Sequence, residues 1–309
     1  MCVTDADPFW SVMIPTYNPR QDYLEKALGS VLEQDPGPER MQIEVVDDCS
    51  TKVDVASMVK GIAGERVGYF QNPKNLGLAG CWNACAARAR GVWVHILHQD
   101  DYVLSGFYNR LEKEARTHPE VSLIATRSFG VDSEGSIESM TPRLAGLEMG
   151  STAVDAFFYS NPLRCPGIAV KRGFYEEHGG FRDDLRFTLD WEMWVRAISR
   201  SGGVVTSEIL SAHRRAPGNE TERFLRSATS LPDIERVQMV IAATHPELDL
   251  KKAHVLRCTE ALFMARSFAQ AGDQAAVSAN LRYWRTNASL RQRARHFVAS
   301  LIRRASAAF

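Results

Sequence analysis

An apolar run from Val92 to Leu97 ends in His98, Gln99, Asp100 and Asp101, the most chemically pointed stretch of the chain. Adjacent carboxylates repel one another unless a cation or strong hydrogen-bond donors offset the repulsion. Hard oxygen ligands of this kind suit Mg²⁺ or Mn²⁺, which can bridge to a diphosphate and neutralise a departing phosphate. Capping of a following helix by Asp101 is the alternative. A second apolar run, Ile43 to Val46, leads into Asp47, Asp48, Cys49 and Ser50. A carboxylate there can accept a hydrogen bond from a base ring N–H, with Ser50 free to cap the next helix, or the two acids can cap that helix themselves. A third run, Phe9 to Ile14, is followed by Pro15, Thr16, Tyr17 and Asn18. It lacks the G-x-G-x-x-G needed for close approach of a dinucleotide pyrophosphate.

These groups need elements to hold them. Leu24, Leu28, Val31 and Leu32 share one face of a predicted helix over Gln21 to Gln34. Further helices are expected over Val53 to Ile62, Leu78 to Arg90 and Leu104 to Thr117, and strands over Val67 to Phe70 and Val121 to Thr126. Strands alternating with helices of this length imply α/β architecture with a parallel sheet covered on both faces. Ligands then collect beyond the carboxyl ends of the strands, where the acids stand. From Ser128 to Gly150 the glycines, serines and Pro142 suggest a long loop. A helix near Ala153 to Tyr159, a strand near Gly167 to Val170 and a helix near Asp190 to Ser201 follow, and the pattern is wholly helical beyond about Asn219.

At 309 residues and 45% hydrophobic content the chain can fill a real core. Its 37 basic and 37 acidic residues cancel, which argues neither for nucleic acid binding nor for an acidic polymer partner, and no nucleic acid partner is expected. The balance hides a basic tail, because no carboxylate side chain follows Asp273 while seven arginines do, from Arg282 to Arg304. Leu290, Ala294, Phe297, Val298, Leu301, Ile302 and Ala305 follow helical spacing there. Such a helix can lie on an anionic bilayer or pack on the rest of the protein. The six cysteines form no CxxC pair and read as reduced cytosolic thiols, and neither a signal peptide nor a spanning segment is expected.

Taken together, Pro15-Thr-Tyr-Asn18, Val45-Val-Asp-Asp-Cys-Ser50, Asn75-Leu-Gly-Leu-Ala-Gly-Cys-Trp-Asn83 and His98-Gln-Asp-Asp101, each at a strand end or helix start, resemble the family 2 glycosyltransferases of the GT-A fold. The resemblance runs from about residue 9 to residue 215. It implies a Rossmann-like, mostly parallel sheet with helices on both faces and an inverting transfer from a nucleotide diphosphate sugar to an acceptor hydroxyl. The catalytic domain would span 1–219, with a nucleotide half over about 9–126 and an acceptor half over about 127–219, followed by a helical region over 220–309.

The resemblance also implies site residues. Pro15, Thr16, Tyr17, Asp47, Asp48, Asn75, Gly77, Asn83, Gln99 and Asp100 would bind the nucleotide. Asp100 and Asp101 would hold Mn²⁺ or Mg²⁺, with His98 and His213 as further candidates. Asp190, in Thr188-Leu-Asp-Trp-Glu-Met-Trp194 downstream of Gly179-Gly-Phe181, would be the base that deprotonates the acceptor hydroxyl. Trp191, Glu192, Arg214 and Arg215 would lie on the acceptor or diphosphate side, where cationic groups stabilise a leaving diphosphate. Trp82 and His98 stand where the family often has Arg and Asp. They motivate a second reading, a nucleotide-sugar-binding protein without turnover; a sugar-1-phosphate nucleotidyltransferase is a third. The resemblance points to UDP- or dTDP-linked donors and a saccharide or lipid-linked acceptor of a bacterial envelope pathway, with the protein cytoplasmic or peripheral on the inner membrane face.

Overall fold

A computed structural model describes residues 7–144, 153–216 and 218–294. The chain divides into two compact units, Met1–Pro217 and Gly218–Phe309. The first unit opens with β1 (Trp10–Thr16), α1 (Gln21–Leu32), β2 (Met41–Asp47), α2 (Val55–Ala63), β3 (Gly68–Gln71), α3 (Gly77–Arg88) and β4 (Trp93–Ile96). It continues through β5 (Tyr102–Val103), α4 (Phe107–Thr117), β6 (Leu123–Val131), β7 (Ile137–Met140), α5 (Val154–Phe158), β8 (Ile168–Lys171), α6 (Arg172–His178), α7 (Leu189–Ser201) and β9 (Gly203–Arg214).

Among the described residues the strands join one nine-stranded sheet in the order β3-β2-β1-β4-β8-β6-β9-β5, with β7 paired to β6. Strands β3, β2, β1 and β4 are mutually parallel, and β6 runs parallel to β9. Helices lie on both sides of this mixed sheet. Strand β1 is buried along its whole length, as expected for a strand covered on both faces. Leu24, Ala27, Leu28 and Val31 of α1 pack on one side of it with Trp10, Val12 and Ile14. The chain leaves β1 toward β2 and β3 and returns on the other side of β1 as β4. The ends of β1 and β4 therefore flank the switch point at which open α/β sheets bind ligands.

Three strands depart from the sequence reading, the first being the two-residue β5, which is too short to leave a pattern. The region expected as a loop from Ser128 instead continues β6 to Val131 and turns back as β7, while residues 145–150 lie outside those described. Every residue of β7 is exposed, so no buried alternation marked it. Strand β9 had not been anticipated either. Its pairing with β6 shifts register between Ala125 and Ser128, which breaks the period-two pattern near Ser207 and Glu208.

The second unit holds α8 (Glu220–Ser227), α9 (Ser230–Thr244), α10 (Leu250–Gln270) and α11 (Gln274–Asn287). Asn219, Asp249 and Asp273 each accept backbone N–H groups at the start of a helix. Of the amphipathic tail stripe, Leu290 is 82% exposed, and Phe297, Val298, Leu301, Ile302 and Ala305 lie outside the described residues. No helix among the described residues is long and apolar enough to cross a membrane.

A buried imidazole gives the first unit a pH signature. His95 on β4 is fully enclosed; Nε2 donates to the Pro166 carbonyl at 3.1 Å, leaving Nδ1 to accept from the Tyr108 hydroxyl at 3.0 Å. Burial lowers its pKa to about 4. The unfolded imidazole takes up a proton near pH 6.5 and the folded one does not, so stability is lost as pH falls from about 6.5 to about 4. Urea midpoints measured across that interval should decline, and His95→Gln, less stable at pH 7, should show a shallower decline.

Candidate active site

Three neighbouring strand ends are tied into one surface. The Gln99 side chain after β4 accepts the Tyr17 N–H at 2.8 Å and returns a bond to the Tyr17 carbonyl at 3.4 Å. Asn18, at φ 46°, donates its N–H to Ser50 Oγ at 2.7 Å and accepts from the Thr51 and Lys52 N–H groups. The ends of β4, β1 and β2 are thus laced together by side chains of the segments singled out in the sequence. Pro15 and Thr16 are buried within β1, so of the expected first-strand contacts only Tyr17, 47% exposed, presents its side chain.

The acids after β2 divide by their free capacity. An ionised carboxylate offers about four acceptor positions. Asp47 uses them on the Ser50 N–H, the Ser50 hydroxyl, the Tyr69 hydroxyl and the Gln71 amide. It acts as a structural joint, its acceptor positions filled by Ser50, Tyr69 and Gln71. Asp48 accepts from Asn72 and the Leu76 N–H on Oδ1 but only from the Gly77 N–H, at 3.0 Å, on Oδ2. One position on Oδ2 stays open beside the start of α3. Gly77 adopts φ 72°, which a side chain would strain, and Asn75 bridges the Asp48 carbonyl and the Gly77 N–H.

After β4, His98, Asp100 and Asp101 each offer a ligand atom, all within 4.8 Å of one another. Asp101 is 1% exposed. Its Oδ1 accepts the Arg214 N–H at 2.8 Å, while Oδ2 has no hydrogen-bond partner although His98 Nδ1 stands 3.3 Å away. Burial and the adjacent Asp101 charge push Asp100 up to about 6. Burial also acts on Asp101, but His213, His98 and the Arg214 N–H outweigh it and hold that carboxyl below the ordinary range. One acid of the pair is thus ionised at the expense of the other, the arrangement a divalent cation relieves. The donor set fits a hard or borderline cation, and the orphaned Asp101 oxygen marks where one would be held.

Asp190 lies in the first turn of α7 and in the same electrostatic neighbourhood. Burial raises its pKa, with the Trp191 N–H, Arg164 and His98 acting in the opposite sense. Asn161 Nδ2 donates to its Oδ2 at 3.2 Å and so orients it. Arg164 sits in the field of Asp190 and Asp101, with Arg215 opposing. Asn161 and Arg164 went unnoticed in the sequence. The signal was the polar Asn161-Pro-Leu-Arg-Cys-Pro166 turn, which packs two prolines and two hydrogen-bonding side chains between helix and strand. His213 lies in the field of Asp101, outside the group in which His98, Asp100 and Asp101 offer ligand atoms within 4.8 Å of one another.

Four further expectations are corrected. The Arg214 guanidinium donates to the carbonyls of Asp100, Asp132 and Ser133 and stacks 4.4 Å from the Tyr23 ring centroid, so it braces the fold rather than facing a diphosphate. Trp191 is buried and donates to the Phe157 carbonyl at 2.7 Å. Glu192 is buried against Arg196, whose guanidinium also binds the carbonyls of His178, Gly179 and Gly180. The Asn83 amide is spent on the Phe181 backbone, donating to its carbonyl at 2.9 Å and accepting its N–H at 2.7 Å. Asn83 and Arg196, the latter paired with Glu192, hold the Gly179-Gly-Phe181 turn.

A profile of the glycosyl transferase family 2 matches residues 11–179. An uncharacterized protein of Mycobacterium tuberculosis is 28% identical over 246 residues, covering 76% of each chain. The poly(ribitol-phosphate) beta-N-acetylglucosaminyltransferase TarS of Staphylococcus aureus is 26% identical over 254 residues, which is 79% of this chain but 42% of that protein. Among solved structures, TarS 1-349 in complex with UDP-GlcNAc superposes with a TM-score of 0.60 at 21% identity, covering 84% of this chain and 72% of the other. The mannosyltransferase PcManGT of Pyrobaculum calidifontis, in complex with GDP-Man and Mn²⁺, gives 0.56 at 16% identity over 96% and 81% of the two chains. At these identities the structural likeness establishes the GT-A fold.

The clamp between Asn83 and Phe181 can be tested by thermodynamic coupling. A Cβ on Gly180 would stand 2.1 Å from Asn83 Oδ1. Asn83→Ala should lose about 1–3 kcal/mol by orphaning a backbone pair. Gly180→Ala should be at least as damaging, and in urea denaturation the double variant should lose less than the two single losses combined, because removing the amide also removes the clash.

Proposed function

Since the chain belongs to glycosyl transferase family 2 and is therefore a glycosyltransferase, we propose that it catalyses inverting transfer from a nucleotide diphosphate sugar, UDP- or dTDP-linked, to a saccharide or lipid-linked acceptor hydroxyl. The observation that carries this reading is the gathering of Asp100, Asp101 and Asp190 in one electrostatic neighbourhood around His98, beside the switch point of the sheet. In the proposed catalytic unit, 1–219, the half over about 9–126 takes the nucleotide and that over about 127–219 the acceptor.

Asp48 receives the base N–H on its open Oδ2 position, and the exposed Tyr17 ring offers an apolar face beside it. Asn75 and Gly77 hold the start of α3 close to Asp48, and Gln99 keeps Tyr17 in place. Asp100 and Asp101 would hold Mn²⁺ or Mg²⁺, which when bound neutralises charge on the donor diphosphate. Arg164 and Arg215 would add positive charge to offset the negative charge that develops on the leaving diphosphate. Asp190 takes the proton from the acceptor hydroxyl as that oxygen attacks the anomeric carbon. Burial helps, because a carboxylate with a raised pKa is a better base near neutral pH. Asn161 holds its second oxygen in the orientation for that step. The basic tail beyond Asp273 suits an acceptor presented at an anionic, cytoplasmic membrane face.

A thermal-shift screen of nucleotide sugars with Mn²⁺ identifies the donor, since a ligand of the native state raises its melting temperature. With that donor, Asp190→Asn should lower turnover by about 10²–10⁴-fold while leaving nucleotide affinity nearly unchanged. Asp48→Asn should weaken nucleotide binding instead. Full turnover in the Asp190 variant, or no stabilisation by any nucleotide sugar, would overturn the assignment.

A further inference from the structure

We propose that His98 supplies a nitrogen ligand, so that the cation site prefers Mn²⁺ and Co²⁺ to Mg²⁺, and that Trp82 is the positioning residue that holds the imidazole for this; the inference rests on Asp100 and Asp101 holding a cation. Mg²⁺ demands oxygen ligands in near-ideal octahedral geometry, whereas imidazole suits the later first-row ions. A His-Asp-Asp donor set therefore sorts cations by the softness of one ligand.

The first support is contiguity, with the ligand atoms of His98, Asp100 and Asp101 all within 4.8 Å. The second is a pair of buried atoms with capacity left. His98 Nε2 makes no hydrogen bond, and Asp101 Oδ2 makes none beyond its 3.3 Å ionic contact with His98 Nδ1, in a site where Asp101 is 1% exposed. An imidazole kept only for packing would satisfy its ring nitrogens, as His95 does three residues earlier with Tyr108 and the Pro166 carbonyl. The third is orientation. The Trp82 ring lies over His98 with centroids 4.7 Å apart and planes tilted by 34°, and Phe181 meets Trp82 edge-on at 4.9 Å. Metal sites need such support because a ligand ring free to rotate binds its ion weakly. The stack also links the cation site to the Asn83 clamp, since Asn83 holds the backbone of Phe181.

The test uses the full chain without a histidine tag, stripped with a chelator and titrated with Mn²⁺, Co²⁺ and Mg²⁺ in the presence and absence of UDP. Pulsed electron paramagnetic resonance of the Mn²⁺-loaded protein should register a ¹⁴N coupling from a directly bound imidazole. Calorimetry should give Co²⁺ an affinity at least about tenfold above Mg²⁺. His98→Asp should abolish the ¹⁴N coupling and shrink the Co²⁺ to Mg²⁺ ratio by about tenfold or more while still binding Mn²⁺. Trp82→Leu should weaken Co²⁺ binding more than Mg²⁺ binding. If His98→Asp does not fold, the wild-type coupling and affinity ratio decide alone. Mn²⁺ bound without ¹⁴N coupling, yet lost in Asp100→Asn, overturns the nitrogen ligand and leaves the carboxylate site standing. Absence of any bound divalent ion, with UDP present, overturns both.

Discussion

Asp101 Oδ1 accepts the Arg214 N–H at 2.8 Å, and that bond joins the segment after β4 to the end of β9. It is possible because β5, which follows Asp101 directly, pairs antiparallel with β9 through Tyr102 and Ala212. The pairing commits one oxygen of a buried carboxylate to the backbone and leaves the other without a hydrogen bond, with the His98 imidazole as a charged neighbour at 3.3 Å. A buried anion with half its acceptor capacity empty is costly unless something positive arrives. The charge distribution of the site follows from this constraint: Asp101 stays ionised, Asp100 is pushed up, and His98, His213 and Arg164 stand around them.

The carboxylates near the sheet end look alike in the sequence and differ in how much capacity the fold leaves them. Asp47 is saturated by Ser50, Tyr69 and Gln71, and Glu192 is closed off by Arg196. Asp48 retains an open position, and Asp190 is held by a single side-chain amide and its own helix start. Free acceptor capacity therefore separates the acids that hold the fold from those available to chemistry. The arginines differ less: Arg214 and Arg196 are spent on backbone carbonyls, and Arg164 also donates to the Asn161 and Leu163 carbonyls while it lies in the field of Asp190 and Asp101.

Several residues named for a ligand role are the second layer behind it. Asn83 grips Phe181, Phe181 supports Trp82, and Trp82 supports His98. Side chains held by aromatic and amide contacts of this kind keep their geometry without a bound partner, which lowers the ordering cost of any binding there.

The amino-acid sequence by itself determined the alternation of β1 to β4 with their helices, because continuous apolar runs and helical stripes are local patterns written by burial on both faces. It also determined which strand ends carry acids and which family the chain resembles. It could not reveal β9, β7 or β5, since the first is interrupted by a register shift, the second buries no residue and the third is two residues long. Without β9 it could not place Arg214 against Asp101. The tertiary structure alone decided which acceptors are already satisfied, that Asn161 and Arg164 converge on Asp190, and that Trp82 and His98 touch. Hydrogen-bond capacity and electrostatic field depend in large part on neighbours tens of residues away, as with Tyr69 and Gln71 on Asp47 or Asn161 on Asp190, and no local pattern along a chain encodes those.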